Sequence, residues 1–462
     1  MQRHIDQPRK RANIKERRRG TILVVAAIVL VALIGLLGLV IDAGQLMVAH
    51  RQVQNAADAA AGAAAMDLLQ GTTSSTARTT GTTFVQTYNG LADATVTINI
   101  PPTTGPHVGD SKYAEALVSS HVIMRFVPVL GVGRTQSVAA RAVAGVEGNS
   151  IAVGVMTTNS NAIPGINLSG NGMLKVNGTV VDNSHGGGLN QNGQPVITGY
   201  GGNAITTSGN GTLAALDVES VGGVNNPAKI VNYNANGPSP LHAGVAMQPD
   251  PLQYMPAPTT ANGAVATNYG NIKLSGNSSV TLFPGVYNSI DLSANSTVTM
   301  NPGIYVIKGG GLSISGNASV NGAGVMIYNT GSDYNVGTGL PDSGDANTAP
   351  PASGSATFGA ISLTGNGTLN LTPYANSASP FAGMVVYQRR LNTQPISLSG
   401  NGAADILKGT VYAKWATLNL TGNGTFNAQF IVGQSSFSGN GNLIIDHAGQ
   451  PGANSQQVFL VE

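Results

Sequence analysis

A short motif recurs through the last two-thirds of the chain and limits the folds that this part can adopt. It consists in most copies of an apolar residue, Ser or Thr, a small residue and Asn. A second motif, Pro-Gly-Val/Ile-Tyr, occurs at 284–287 and again 18 residues later. Spacings that drift between 17 and 22 residues indicate a solenoid. The first motif stands at 168–172, 208–211, 274–277, 292–295, 314–317, 363–367, 398–402, 420–424 and 437–441.

The segments between these motifs predict short strands. They alternate apolar and polar residues, as in Ile272-Lys273-Leu274. The Gly and Asn residues between them tolerate a positive φ, so the chain can turn sharply about every six residues. We therefore predict a mainly β chain in which residues 150–462 form a parallel β-helix. Leucine-rich repeats would need helical segments, and none is visible in this region.

Several properties of the β-helix follow from this prediction. Each winding should stack about 4.8 Å above the one before it, and about 12 windings give an axis of roughly 60 Å. Asn side chains at the turns are expected to form amide ladders. Parallel crossovers are usually right-handed, and the repeats resemble pectate-lyase-like helices, which implies a right-handed β-helix. Residues 222–263 and 330–355 interrupt the period and are predicted to be loops that leave one face.

Charge is concentrated at the N-terminus. Only 9% of the residues are charged and the net charge is +2, whereas residues 1–19 alone carry +6. The remaining chain lacks the basic face of a nucleic-acid-binding protein. The absence of Cys excludes disulfides, thiolate metal sites and a Cys nucleophile. We predict no nucleic-acid partner, no cofactor and no metal.

An uncharged apolar run follows the basic tail. Thr21 to Ile41 comprises 21 residues, about 31 Å as a helix, which matches the hydrocarbon thickness of a bilayer. The run is too long for the core of a signal peptide, so we predict a permanent transmembrane helix at 20–41, with cleavage as the alternative. The positive-inside rule then places residues 1–19 in the cytoplasm. We expect an inner-membrane protein whose bulk is periplasmic or extracytoplasmic.

Good helix formers continue beyond this run. Residues 43–70 contain no Pro and are rich in Ala. Apolar side chains at helical spacing form a thin stripe that permits close packing, so this helix is a candidate for self-association. Gly71 and the polar residues after it are predicted to end the helix. The stripe consists of Leu46, Val53, Ala57, Ala60 and Ala64.

Two segments carry a resemblance to a known family. Val40-Ile41-Asp42-Ala43-Gly44 closes the apolar run, and residues 54–61 read Gln-Asn-Ala-Ala-Asp-Ala-Ala-Ala. With the basic start, they make residues 18–147 similar to the TadE/TadG-like components of the tight-adherence (Flp-type) pilus-assembly system. Pilin-like members carry a Glu five residues after their processing Gly, where this chain has Val25 after Gly20. This departure favours the TadG-like, non-pilin side of the family.

The resemblance implies a fold and partners for the segment after the membrane. It implies a small α+β domain at 42–149, no catalytic residues, and other pilus-assembly or envelope proteins as partners. A short apolar helix is expected at 123–133. Strands are expected at 94–100, 113–122 and 137–146.

Ionisable residues that might carry chemistry are scattered. We interpret Asp42 as a charge that marks the membrane interface and Asp58 as a solvated surface charge, with helix–helix contact as the alternative for each. Asp217 and Glu219 should share one face of a strand. Three further acids in one loop offer a candidate Ca²⁺ site, although their spacing matches no standard loop. These are Asp333, Asp342 and Asp345.

Other residues have equally ordinary interpretations. Arg389 and Arg390 are interpreted as an exposed turn, with binding of a carboxylate as the alternative. Tyr412 and Trp415 are interpreted as a partly buried cap near the end of the solenoid, with stacking on sugar as the alternative. The histidines His185, His242 and His447 are isolated. We identify no catalytic, cofactor-binding or metal-binding residue.

The sequence therefore favours a structural protein of the cell envelope. Its function would be pilus assembly or surface adhesion, with the β-helix as a scaffold or binding stalk. An anchored polysaccharide lyase or hydrolase is the first alternative, and it would need clustered carboxylates or basic residues on one face. A glycan-binding adhesin is the second, and it would need exposed aromatic residues.

Overall fold

The chain is mainly β with an N-terminal apolar helix. The computed structural model describes residues 15–70, 72–131, 133–196, 200–340, 356–401, 407–447, 449 and 452–461. Contacts divide the chain into two units, of which the first runs to Glu147 and also takes in the end of the chain from Gln457. The second unit is Gly148–Gln456.

Two helices begin the first unit. Helix α1 (Lys15–Leu69) runs without interruption through the apolar run and the Ala-rich segment, and it ends where the sequence predicted. Leu23 and Val40 are 73% and 68% exposed, in contrast to the apolar residues after Gln52. Helix α2 (Ser74–Thr83) is capped at its N-terminus by Thr73, whose side chain accepts the Thr76 N–H at 3.2 Å. A π-helical turn, Phe84–Tyr88, follows it.

A four-stranded sheet completes this unit. Strands β1 (Thr95–Asn99), β2 (Tyr113–Ile123) and β3 (Thr135–Ser150) lie where strands were expected, and they pair antiparallel. The fourth strand, next to β3, is formed by the end of the chain in β25 (Asn454–Leu460). The apolar helix expected at 123–133 is only a 3₁₀ turn, Val127–Leu130. Pro at its start and a left-handed Gly131 at its end keep it this short.

The core of the first unit lies between α1 and the sheet. Val53, Ala57, Ala60 and Ala64 of the predicted stripe are all buried. Because Ala has the smallest side chain after Gly, the helix backbone can lie close to the strands. The stripe packs with residues of α2, β1, β2 and β3, among them Ala77, Ile98, Ala114, Val118 and Val138.

Short strands wind through the second unit. The first group is β4 (Val153–Thr157), β5 (Ile166–Gly170), β6 (Met173–Asp182), β7 (Ile205–Thr207), β8 (Thr212–Ser220), β9 (Ile230–Asn232) and β10 (Leu241–Ala243). The second group is β11 (Asn268–Leu274), β12 (Ser279–Leu282), β13 (Gly285–Leu292), β14 (Thr297–Met300), β15 (Gly303–Lys308), β16 (Leu312–Ile314), β17 (Ser319–Gly322), β18 (Val325–Thr330), β19 (Ile361–Leu363), β20 (Thr368–Leu371), β21 (Met384–Gln388), β22 (Ile396–Asn401), β23 (Lys408–Gly439) and β24 (Asn442–Ile445).

Strands of neighbouring windings pair in parallel and in register. In one ladder, Val280 of β12 lies beside Val298 of β14, and the row continues to Val320 and Leu369. In another, Leu292, Ile314, Leu363, Leu398 and Leu420 form a row along β13, β16, β19, β22 and β23. These inward side chains form one continuous hydrophobic core. The predicted alternation of apolar and polar residues places them there.

The windings do not stack in the order of the sequence. Val432, in the C-terminal winding, lies beside Thr157 in the first winding of this unit, and Thr157 in turn lies beside Asp182. The stack therefore runs from residue 268 to 445 and continues with residues 153 to 243. The expectation that each winding lies on the one before it is wrong at this junction. Local repeats specify how a strand pairs but not which copy of the repeat is its neighbour.

One segment crosses the outside of the stack and joins its two ends. We call residues 244–267, between β10 and β11, the strap. Leu252 and Met255 of the strap are buried against an outward row that includes Met326, Tyr387 and Tyr412. The loop predicted at 222–263 is thus shorter, because β9 and β10 still belong to windings. Of the second predicted loop, residues 341–355 lie outside the described residues.

The turns carry the predicted amide ladder. The Asn295 side-chain amide donates to Asn277 Oδ1 at 3.1 Å, and Asn317 donates to Asn295 Oδ1 at 3.0 Å. Asn366 continues the row at 3.4 Å. All four side chains are exposed, so the ladder lies on the surface of the turns. It links four successive windings at one corner.

Candidate functional site at the end of the apolar helix

Asp42 lies one residue beyond the apolar run and binds a loop to the helix. Its carboxylate accepts the backbone N–H groups of Arg125, Phe126 and Val127 at 3.1, 2.8 and 2.6 Å. The side chain is only 1% exposed. Successive backbone N–H groups in a turn form a concave site for an anion. The interpretation of Asp42 as a simple interface charge is therefore wrong, since it is a buried anchor for residues 124–131, which we call the exit loop.

Gly38 provides the second contact between the helix and the exit loop. It lies one turn before Asp42, and a Cβ at this position would come within 2.6 Å of the Phe126 ring. Only Gly therefore fits under this ring without a shift of the loop. The Met124 N–H donates to the Arg134 carbonyl at 2.7 Å and closes the base of the loop. The apolar helix and the exit loop are thus joined at the end of the apolar run.

The three donors also determine the electrostatics of Asp42. Burial removes water from the carboxylate and by itself raises its pKa. The N–H groups of Val127, Arg125 and Phe126 stabilise the ionised form more strongly, so the pKa lies below its usual value. Asp42 is consequently an anion at neutral pH. A neutral side chain of the same shape would lose this charge-assisted binding.

Asp58 connects the same helix to the sheet through a neighbour. It accepts the Gln54 side-chain amide at 2.8 Å, and that amide also lies 3.4 Å from the Arg141 carbonyl of β3. Both side chains are partly buried. Asp58 is therefore more than a solvated charge, because it orients Gln54 toward the sheet. Self-association of residues 43–70 would have to use the other face of α1, where Met47 is 69% exposed.

A second buried carboxylate stabilises the first unit. Glu115 of β2 accepts the Asn99 amide at 2.8 Å, the Thr103 hydroxyl at 2.7 Å and Arg141 Nε at 2.8 Å. Burial raises its pKa, but the hydrogen bonds from Thr104, Asn99 and Thr103 outweigh burial and hold the pKa well below its usual range. Glu115 was not identified in the sequence, where one acid in an alternating strand resembles a surface residue.

In the second unit, a polar cluster lies beneath the strap. Asp250 Oδ2 lies 3.1 Å from Lys414 Nζ and accepts the Tyr412 hydroxyl at 2.8 Å. Arg390 Nε donates to the same hydroxyl at 2.8 Å, and its Nη2 donates to the Leu252 carbonyl at 2.6 Å. Arg390 is therefore not in an exposed turn, since the strap covers it. Tyr412 is fully buried in the middle of the stack and is not a cap at its end.

Arg389 is also buried, which contradicts its interpretation as exposed. Its Nη1 lies 2.8 Å from Asp333 Oδ1. Asp333 was the first acid of the candidate Ca²⁺ loop, and this bond gives it a structural partner. Asp342 and Asp345 lie outside the described residues. Among the residues that the structure describes, no group of three His, Asp or Glu could hold a metal ion.

The remaining candidates are dispersed. Asp217 and Glu219 share the outward face of β8 as predicted, and His242 Nε2 lies 3.5 Å from Asp217 Oδ1. His185 stacks on a tyrosine ring at 5.3 Å. Burial lowers the pKa of His447.

Trp415, like Tyr412, lies within the stack. It is 9% exposed, and Lys414 Nζ lies 5.5 Å from its ring centre. The sequence predicts a loop over most of the strap but not its packing against the stack. The signal that could have revealed it is the uninterrupted apolar character of β15 and β21, because strands buried on both faces lose the alternation.

One comparison with known proteins gives a match. The family model described as Flp pilus-assembly TadE/G-like matches residues 20–67. No curated protein and no solved structure matches the chain. The matched segment contains the apolar run, Gly38, Asp42 and most of the helical face that packs on the sheet. It supports a role related to Flp pilus assembly, with an N-terminal helix long and apolar enough to span a membrane.

Proposed function

We propose that this chain is a TadG-like, non-pilin structural component of Flp pilus assembly, anchored in the inner membrane with its N-terminus in the cytoplasm. One observation carries the proposal. The matched segment, 20–67, belongs to a single helix that is apolar and exposed up to Ile41 and packs on its own sheet from Val53 onward. Such a helix couples insertion in the membrane to the folding of the domain that follows it.

The second unit would act as a scaffold or binding stalk outside the membrane. We propose that its stack is a right-handed parallel β-helix. The in-register parallel ladders and the continuous core of inward side chains support a parallel β-helix, and its proposed right hand follows the usual handedness of parallel crossovers. The surface Asn ladder supports the parallel β-helix as well, because amide stacking requires an equivalent turn in each winding.

The proposed role is not catalytic. Several acidic side chains of the second unit have structural partners that would compete with a substrate. Asp250 binds Lys414, and Asp333 binds Arg389. Asp182 is fully buried beneath the surface of the stack. These arrangements support a structural function over polysaccharide cleavage.

Affinity capture from native membranes after mild crosslinking tests the proposed partners. The full-length chain should recover other proteins of a Flp pilus-assembly system. The matched control replaces residues 21–37 and 39–41 by an unrelated apolar span and keeps Gly38, so that the exit loop can still dock. Recovery with the native chain and loss with the control would support recognition through the matched segment. Cleavage of a glycan by the chain, abolished by changing one acidic residue, would contradict the structural role.

Labelling of single cysteines tests the orientation, since the chain has no Cys. Gln7→Cys should be protected from a membrane-impermeant maleimide in spheroplasts. Tyr88→Cys, which replaces a side chain that is 72% exposed, should react. The reverse pattern would refute the proposed topology.

A further inference from the structure

The exit loop exposes apolar side chains at the end of the apolar helix. Val129, at its tip, is 87% exposed, and Ile123 and Phe126 beside it are 65% and 41% exposed. Burying such side chains away from water is favourable, roughly in proportion to the apolar area that is covered. In contrast, Ile98, Val118 and Val138 of the sheet are buried in the core of this unit. Clustered at one loop, the exposed side chains could be buried by an apolar environment from outside the chain.

The position of the loop identifies that environment. Asp42 holds the backbone of residues 125–127 at the end of the apolar run. The Phe126 ring lies against Gly38, four residues back along the helix, which is about 6 Å toward the middle of the span. Phe126 is thus at the level of the last turn of the lipid-facing helix, and its neighbours in the loop lie beside it.

Charges at the base of the loop fit the same partner. Arg125 and Arg134 flank the apolar tip, and both side chains are exposed. The hydrogen bond from the Met124 N–H to the Arg134 carbonyl holds Arg134 next to the residue that precedes Arg125. Basic residues next to an inserted apolar segment favour anionic headgroups.

We infer that the exit loop inserts its tip, from Phe126 to Val129, into the outer leaflet of the membrane beside α1 and is a second lipid contact of this chain. The inference rests on the proposed membrane anchoring. The partner is the lipid surface itself. Asp42 is a positioning residue, because it holds the loop at this depth without touching lipid.

Depth-dependent quenching in nanodiscs tests the inference. The full-length chain carries one new Cys with an environment-sensitive fluorophore, in phosphatidylcholine–phosphatidylglycerol nanodiscs with or without lipids that bear a nitroxide on the acyl chain. The test position is Val129→Cys. Leu33→Cys reports on the transmembrane helix. Val108→Cys is the matched control, since Val108 is 57% exposed in another loop of the same unit.

The three positions separate the possible outcomes. Quenching at position 129 close to that at position 33, and several-fold above that at position 108, would support insertion. Quenching at position 33 with position 129 resembling position 108 would overturn the inference and leave the anchor intact. No quenching at position 33 would overturn the anchoring together with the inference.

A second variant tests the positioning role. Asp42→Asn in the Val129→Cys background should reduce quenching at position 129, because the loop loses its charge-assisted hydrogen bonds. Asp58→Asn should leave the quenching unchanged, since Asp58 makes its contact elsewhere on α1. Equal quenching at position 129 with and without Asp42→Asn would show that Asp42 does not set the depth of the loop.

Discussion

At the residue scale, the turn of the first motif requires one residue in a left-handed conformation. Gly276, Gly316 and Gly365 occupy this position with φ of 69°, 71° and 78°. In the copy at 292–295 the residue is Ala294, with φ of 58°. A Cβ makes this conformation unfavourable by about 1–2 kcal/mol. Ala294 therefore adopts the left-handed conformation of the equivalent glycines, although Ala by itself disfavours it.

Replacing this residue should stabilise the turn. We expect Ala294→Gly to raise the free energy of unfolding by about 0.5–1 kcal/mol, because relief of strain exceeds the added entropy of Gly in the unfolded chain. Thermal unfolding of the full-length chain in detergent measures the change. Gly316→Ala is the reciprocal control and should lower the midpoint, as its Cβ would also meet Ala294 at 3.0 Å. A lower midpoint for Ala294→Gly would contradict the strain argument.

The second motif is explained by its tyrosine. The Tyr305 hydroxyl donates to the Asn301 carbonyl four residues earlier at 2.8 Å, and the Tyr287 hydroxyl donates to the Phe283 carbonyl in the same way. Pro and Gly between the two partners form the corner that this bond closes. The rings of Tyr287 and Tyr305 also stack at 5.8 Å. The motif thus links a turn within one winding to the next winding.

Asp182 should make the stability of the chain depend on pH. Burial raises the pKa of Asp182 to about 7, against hydrogen bonds from Thr157 and Ser184 that lower it. The unfolded chain releases this proton near pH 3.8, so the folded state binds more protons between these values. Stability should therefore fall as the pH rises from about 4 to 7, by an amount of the order of 1–4 kcal/mol.

The variant Asp182→Asn measures this contribution. It should unfold at a higher temperature than the native chain at pH 8, with a difference that shrinks toward pH 4. Asn can still accept the Thr157 and Ser184 donors through its carbonyl oxygen. Thermal midpoints across this pH range provide the comparison. A constant difference between the two chains at all pH values would show that Asp182 does not titrate in this way.

At the element scale, the strap is fixed by buried charge as well as by apolar contact. Asp250 and Lys414 are only 7% and 4% exposed in their side chains. Removing one partner of a buried pair leaves the other charge uncompensated, which typically costs about 3–5 kcal/mol. Asp250→Ala should therefore lower the free energy of unfolding, measured with urea, by about this amount. It should also make the strap susceptible to limited proteolysis.

A double variant distinguishes lost charge balance from lost packing. Asp250→Ala with Lys414→Met should recover part of the stability, because the buried ammonium group that faced Asp250 is removed as well. Asp217→Ala, at a partly exposed position next to His242, should cost less than about 1 kcal/mol. If Asp250→Ala were no more harmful than Asp217→Ala, the ion pair would not be what fixes the strap.

At the scale of the whole second unit, the stack is permuted relative to the chain. Ser169 and Ser438 are register partners although they are 269 positions apart in sequence. His242 and Lys273 are close in sequence, but their strands belong to opposite ends of the stack, because β10 pairs with β8 and β11 pairs with β13. The strap bridges the distance between these strands. The C-terminal winding must therefore be present before the first one can complete its pairing.

Disulfide formation tests the order of the windings. In a chain without native Cys, Ser169→Cys with Ser438→Cys should form a disulfide under mild oxidation, since adjacent strands lie about 4.8 Å apart. His242→Cys with Lys273→Cys should not form one, because roughly 50 Å of stacked windings separates them. Gel mobility before and after reduction detects the bond. Crosslinking of the second pair alone would indicate windings stacked in sequence order.

Periodic patterns and local chemistry were sufficient for much of this protein. The apolar run, the length of α1, the strands of the first sheet, the inward rows of Leu, Ile and Val and the Asn ladder all depend on residues close in sequence or on one repeating spacing. The position of Asp42 at the end of the apolar run is evident in the sequence, but its three N–H donors lie more than 80 residues away. Its burial was therefore not visible in the sequence.

Tertiary structure alone decided which copies of the repeat are neighbours and what covers them. Equivalent turns are interchangeable in a periodic sequence, so nothing local distinguishes a sequential stack from one that starts at residue 268 and ends at residue 243. The strap resolves this choice through specific contacts, such as Asp250 with Lys414 and Leu252 with Arg390. Those contacts form only when distant segments meet. For the same reason, Arg389, Arg390 and Tyr412 are buried where their local sequence indicates exposed or partly buried positions.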